Sequence, residues 1–252
     1  PYSLSGQNIR KPSYSSTRFG VGLGGTLRIP KLFSDDRTFF FVDYRGRRGR
    51  NPFDSIATMP NAAMRAGDFS SLSSPIYDPL SGQPFAGNTI PLSRQSSAAR
   101  GLLALLPLPN QPGSVQNYQI LGSLSQSSDD LSVRLNRSVG RKDRLAFSIA
   151  FQNRDATQLQ LYGFEDTSEG KGTNTSFTWS HTFTARLIMN LRLGFARNTN
   201  ATVPYFAFGR NWASELGIRG TANDPLTYGP PNLSFTNFGG LSDANPTRRA
   251  DQ

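Results

Sequence analysis

Residues 18–29 read RFGVGLGGTLRI, and every large apolar side chain falls on an odd position: Phe19, Val21, Leu23, Leu27 and Ile29. The even positions Arg18, Gly20, Gly22, Gly24, Thr26 and Arg28 are small or polar. A period of two over a dozen residues belongs to a strand with one face in apolar and one in polar surroundings. A helix would bring apolar residues back to one side every three or four positions, so this stretch is not helical. The rhythm recurs. Phe40, Val42 and Tyr44 share one face, and Arg37, Asp43, Arg45 and Arg47 share the other with Phe39 and Phe41. Leu131, Val133 and Leu135 alternate with polar neighbours, as do Leu145, Phe147, Ile149 and Phe151. Further on come Thr175, Phe177, Trp179, His181 and Phe183, then Leu187, Met189, Leu191, Leu193 and Phe195. The pattern predicts about six strands of about 10–12 residues each.

The connections are unequal. Hairpins are expected at about residues 16–48, 129–153 and 173–198, closed by the short segments 31–37, 140–143 and 184–186. Long loops are expected at about 49–128, 154–172 and 199–252. Long loops without regular structure are uncommon in compact water-soluble domains. Short turns at one end and long loops at the other are the habit of outer-membrane barrels, whose short turns are periplasmic. The predicted fold class is therefore all-β: an antiparallel meander of about six long strands from a transmembrane outer-membrane β-barrel. Within the first loop, residues 96–106 predict a short amphipathic helix stopped by Pro107, and residues 61–67 a helical turn ended by Gly67.

Composition matches neither a typical apolar core nor a disordered chain. Hydrophobic residues make up 36% of 252 residues, below the ~45–50% of ordinary globular domains, yet there are 18 Phe. A disordered chain would be poor in aromatics. No apolar run is long enough for a membrane-spanning helix, which leaves strands as the means of crossing. The net charge of +10 suits an anionic partner, and the absence of cysteine excludes disulfides and thiolate-held metals.

Catalytic constellations are missing. Gly20, Gly22 and Gly25 fit a dinucleotide-binding spacing, but the strand pattern runs through them, so they read as strand glycines beside which something packs closely. The single histidine, His181, belongs to no triad or metal cluster and reads as an interfacial or packed ring. Asp35–Asp36, Asp129–Asp130 and Glu165–Asp166 are sequence neighbours, which point to opposite faces of a strand. They read as solvated turn and strand-end groups. Asn174 and Asn200 head Asn-x-Ser/Thr triplets that mean little in a bacterial chain. No catalytic, cofactor-binding or metal-binding residue is expected.

The segment GVGLGGTLRIPKLFSDDRTFFFVDYRGRRGRNPF, residues 20–53, resembles the early barrel hairpin of Oar-like TonB-dependent outer-membrane receptors. MPNAAMRAGDFS at 59–70, IYDPLSGQPFAGNTIP at 76–91, ARGLLALLPLPN at 99–110 and the hairpin at 129–155 extend the resemblance. Residues beyond about 155 match in rhythm only. The resemblance implies a barrel of about 22 strands, preceded by a plug and an N-terminal carboxypeptidase-regulatory-like domain. Those parts are expected to lie outside this chain, which reads as an internal piece of the barrel. The plug side would bind TonB, and the barrel would move a large solute across the outer membrane of a Gram-negative bacterium. The expected partners are outer-membrane lipid, lipopolysaccharide, TonB and an unidentified solute, with no nucleic acid. A β-rich surface adhesin or glycan-binding protein without transport is the alternative.

In such a barrel Phe19, Val21, Leu23, Phe40, Val42, Tyr44, Phe147, Phe151, Phe177, Trp179, Leu191 and Phe195 would face lipid. Arg18, Arg28, Phe39, Phe41, Asp43, Arg45, Arg134 and Arg192 would face the lumen or plug. Arg47, Arg48 and Arg50 would form a basic outer rim against phosphate groups where the second strand enters the long loop.

Overall fold

The computed structural model describes residues 14–31 and 35–250. Seven strands lie in chain order in one antiparallel sheet: β1 (Ser15–Thr26), β2 (Thr38–Ala57), β3 (Tyr118–Val139), β4 (Asp143–Leu159), β5 (Glu165–Thr184), β6 (Leu187–Val203) and β7 (Thr247–Ala250). Among the described residues each strand pairs only with its chain neighbours, so the sheet is a meander, and it is not closed. Six strands realise the expected pattern. β7 lies in a stretch expected to be loop and pairs with β6 from Thr199 to Thr202.

The strands outrun their sequence signal at one end. β2 continues to Ala57 instead of ending near 48, and β3 begins at Tyr118, paired with Ala57. The expected loop at 154–172 is mostly ladder: β4 pairs β5 as far as Leu159 and Glu165, leaving only residues 160–164 as a turn. The cause is visible in the side chains. The extended arms carry polar residues on both faces, such as Asp155, Thr157, Ser168 and Glu169. Alternation reports that one face is apolar, while the strand itself is held by backbone hydrogen bonds that any residue but proline donates. Where both faces meet water, the period of two vanishes and the ladder persists.

Register collects the apolar residues into a band. Val21, Tyr44, Leu131 and Phe151 stand in one row, and Leu23, Val42, Val133 and Ile149 in the next. Phe40, Leu135, Phe147, Phe177 and Leu193 form a third, and Leu145, Trp179 and Leu191 a fourth. On β4 the apolar band runs from Leu145 to Phe151, seven positions by number, with the polar Asp143 at its edge, against the ~9–11 residues that span a bilayer. Nothing in the described chain covers it. Val21 is 67% exposed, Leu23 65% and Phe195 61%.

The packed core lies elsewhere. Met59, Leu102, Leu106, Tyr118, Tyr162 and Leu241 form one buried cluster, drawn from the two long connections, the β4–β5 turn and the far end of β3. Helix α1 (Ala62–Arg65) starts at Asn61, whose side chain accepts from the Met64 amide, and α2 (Ser97–Leu103) starts at Ser96. α2 ends at Leu103, short of the expected stop at Pro107. The Arg65 guanidinium reaches from α1 to its open end, donating to the carbonyls of Leu103 at 3.2 Å, Leu106 at 2.7 Å and Pro107. It thereby satisfies acceptors that a helix C-terminus leaves without partners. α3 (Trp212–Glu215) lies in the second connection, residues 204–246.

Asn117 joins this loop cap to the sheet. It is 2% exposed. Its Oδ1 accepts from the Met59 amide at 2.7 Å, and its Nδ2 donates to the Met59 carbonyl at 2.9 Å. A side chain thus extends the β2–β3 ladder beyond Ala57. Asn117→Ala leaves two buried backbone groups unpaired and should cost the cap roughly 2 kcal/mol. Hydrogen exchange on the full-length protein checks this: Met59 and Tyr118 amides should lose protection while the amides at Val42 and Val133 keep theirs. Unchanged protection at Met59 would refute the role.

Candidate functional site

Two surfaces are candidates for function: the polar face of the sheet and the loop cap at its far end. Register assigns the predicted residues to faces. Phe19, Val21, Leu23, Phe40, Val42, Tyr44, Phe147, Phe151, Phe177, Trp179, Leu191 and Phe195 all share the apolar face. Arg18, Phe39, Phe41, Asp43, Arg45, Arg134 and Arg192 all share the polar face. Arg28 is on neither. It lies past the end of β1, in the connection, where its guanidinium pairs with Asp36. β1 stops at Thr26, short of the last alternating residues.

The three rim arginines divide. Arg47 joins the polar face; Arg48 and Arg50 stand above the apolar band on the other side. None lies at the strand end, since β2 continues through them to Ala57.

The polar face is lined by Arg18, Arg45, Arg47, Arg134, Arg144, Arg154 and Arg192, with Asp43, Asp130 and, buried at the cap end, Asp166 as acids. Arg45 pairs with Asp43 at 2.7 Å. Elsewhere serine, threonine, asparagine and glycine keep this face low, as in the Ser148–Ser176 hydroxyl pair at 2.8 Å. Phe41 lies over the glycines of β1: a Cβ on Gly24 would stand 2.7 Å from Phe41 Cδ2. Gly22 and Gly24 therefore receive a neighbour's ring, while Gly20 lies against the Tyr44 carbonyl and the Arg45 side chain. Phe41 remains 39% exposed and Phe39 52%.

Polar groups edge the apolar band at both ends. At the far end Tyr44 Oη donates to Asp129 Oδ1 at 2.6 Å, and Arg48 Nη2 donates to both oxygens of Asp129 at 3.0 Å. Phe19 packs beside Tyr44 and beneath the Arg48 guanidinium, 5.7 Å from ring centre to Cζ. At the short-turn end Trp179 Nε1 donates to Asp143 Oδ1 at 2.8 Å, and His181 Nδ1 lies 2.7 Å from the same oxygen. His181 meets Phe183 edge-on at 4.5 Å. The ring is packed between Trp179 and Phe183, as one of the two expected readings has it. Asp129 and Asp143 escape a reading of the sequence, because register alone brings them to Tyr44 and Trp179.

The cap is an aromatic chain. Tyr118, Tyr162, Phe164 and Phe206 succeed one another at 4.6–6.3 Å between ring centres. Tyr205 stacks on Phe164 at 5.2 Å and stays 55% exposed. Burial, with Tyr118 beside it, pushes the Tyr162 hydroxyl up to about 12. Arg210 lies over Trp212 at 4.6 Å and pairs with Glu215, whose carboxyl it holds below the usual range. Glu165–Asp166 departs from the expected solvated pair, since Asp166 is 2% exposed. Asp166 accepts from Gln160 Nε2 at 2.7 Å and from the Tyr205 amide at 2.9 Å. It thereby ties the β4–β5 turn to the second connection.

Among the described residues no group of three or more His, Cys, Asp or Glu converges as a metal site would require. The surfaces can bind and line; their chemistry is hydrogen bonding, charge and aromatic packing.

The whole chain, residues 1–252, matches the family model described as an outer membrane beta barrel domain, and the chain belongs to that family. Its place is accordingly the outer membrane of a Gram-negative bacterium. No curated protein and no solved structure matches it.

Asp243 makes the cap sensitive to pH. Burial and then the nearby Asp166 carboxylate push its carboxyl up to about 6 from an ordinary 3.8. A raised acid disfavours the folded state when ionised. Cap stability should therefore fall as pH rises from about 4 to about 6, then level off. Asp243→Asn should remove that slope and slow cap hydrogen exchange at pH 7.5 while leaving pH 4 unchanged. An equal effect at both pH values would contradict the assignment.

Proposed function

We propose that this outer-membrane chain is part of the wall of an Oar-like TonB-dependent transporter, carrying a large solute past its polar face. The supporting observation is the bare apolar band: a belt on one face of β1–β6, seven positions deep on β4, on which no other part of the described chain packs and where Val21, Leu23, Leu193 and Phe195 are exposed. In water each such side chain would cost about 1.5–3 kcal/mol relative to burial. Against hydrocarbon that cost disappears. The twelve residues of the apolar face therefore meet lipid, and Tyr44 and Trp179 sit at its two interfaces, where amphipathic rings are favoured. Arg48 and Arg50, just above the band, meet lipopolysaccharide phosphates.

The polar face is then the inward wall. Phe39 and Phe41 lie low on it, at a height where a plug would cover them. The long connections form the outer cap, because short turns mark the periplasmic side. The exposed Tyr205 and the Arg210–Trp212 pair give the cap a surface on which solute first lands. Energy coupling runs through TonB and the plug of the full-length protein. The chain's own part is to bind and guide, without catalysis, cofactor or nucleic acid.

Topology offers the test. In whole cells expressing the full-length protein, a membrane-impermeant maleimide should label Gln83→Cys, in the cap, and leave Asp35→Cys, in the β1–β2 turn, untouched until the outer membrane is permeabilised. The reverse pattern overturns the orientation. The full-length protein should also retain the purified periplasmic domain of TonB. Failure of that binding removes the TonB-dependent reading and turns the role toward a surface adhesin.

A further inference from the structure

Arg18 and Arg47 are direct register partners on the polar face. Like charges opposite one another on one sheet face repel. Arg154 stands in the same row beyond Ser128, and Arg45 lies two positions from Arg47. Among the described residues no carboxylate pairs with Arg18, Arg47 or Arg154. Asp43 is engaged by Arg45 at 2.7 Å, and Asp129 is held by Arg48 on the opposite face. A cavity of about 310 Å³ opens here, lined by Arg47, Ser128, Arg154 and the acid Asp130. Asp155 borders it from the other side of the sheet, where Ser127 donates to its carboxylate. With Arg45 and Asp43 paired, Asp130, the register partner of Arg45, is among the described residues the one acid facing Arg18, Arg47 and Arg154, so the patch keeps a positive charge.

We propose that Arg18, Arg47 and Arg154 form an oxyanion site on the inward wall, which holds a phosphate or carboxylate group of the solute. The inference rests on the polar face being the inward wall of a transporter. Its chemistry follows from the guanidinium fork, which offers paired N–H donors to a planar or tetrahedral oxyanion. Ser128 adds a hydroxyl between Arg47 and Arg154. An arriving anion also relieves the repulsion between Arg18 and Arg47, so the arrangement costs the empty wall some stability and favours the loaded one. The cavity admits a compact group such as a diphosphate or tricarboxylate and is too small for a whole large solute. The site therefore reads one charged group of a larger molecule.

The test is calorimetric titration of the detergent-solubilised full-length protein with pyrophosphate, citrate and uncharged trehalose. Pyrophosphate or citrate should bind, more weakly at higher salt, and trehalose should not; the tighter of the two anions names the group. Removing one charge-assisted hydrogen bond should weaken binding roughly tenfold, so Arg47→Gln with Arg154→Gln should weaken it roughly a hundredfold. Arg18→Gln should weaken binding yet raise the melting temperature of the unloaded protein, which keeps a folding defect from imitating the result. Arg48→Gln with Arg50→Gln, on the lipid side, should leave affinity unchanged. Affinity insensitive to Arg47 and Arg154, or binding of trehalose as tight as the anions, would overturn the site. An equal loss from Arg48 and Arg50 would overturn the assignment of faces on which it rests.

Discussion

Peptide N–H and C=O groups inside hydrocarbon find no water to bond, and every one of them has to be satisfied by the chain itself. The meander meets this demand for its inner strands with neighbours only: β2 to β5 pair along most of their length with the strands before and after them, whereas β1 pairs with β2 alone and β6 meets β7 only from Thr199 to Thr202. Once the ladder is laid down, the direction of every side chain is set, because successive residues point to opposite faces. The Val21–Tyr44–Leu131–Phe151 row and the Arg18–Arg47–Arg154 row are two consequences of one register.

The same ladder connects two solvents. Within the band, stability comes from backbone pairing, and the apolar residues stay uncovered within the chain. Beyond Tyr44 and Phe151 the strands continue into water, both faces turn polar, and a conventional packed core appears around Met59, Leu102, Tyr162 and Leu241. That core is shared by segments far apart in the chain. Asn117, Asp166 and Arg65 fasten it by hydrogen bonds to backbone, which keeps the two long connections folded over the strand ends instead of trailing from them.

How much of this the sequence reveals depends on the face that each residue meets. The band was legible because one side of residues 18–29, 40–44 and 145–151 is apolar, and the alternation follows. The outer arms were not, because Asp155, Thr157, Ser168 and Glu169 carry no contrast between faces; only the ladder shows that they are strand. Helices α1 and α2 were legible from Asn61, Ser96 and Gly67, though the end of α2 was set by Arg65 from another helix, and α3 lies in a stretch expected to be loop. The burial of Asp166 was hidden, since Gln160 and Tyr205 have to arrive from either side of it. The Arg18–Arg47 opposition was hidden too, because it exists only in register.

The central claim is that the two faces of these strands meet different media. Spin labels placed singly along β2 in the full-length protein, reconstituted in bilayers, report it directly through collisions with oxygen and with a water-soluble nickel chelate. Labels at Phe40, Val42 and Tyr44 should meet oxygen, and labels at Phe39, Phe41 and Asp43 should be shielded from lipid, with the alternation fading beyond Arg48. Equal access of the nickel chelate to both sets would contradict the account.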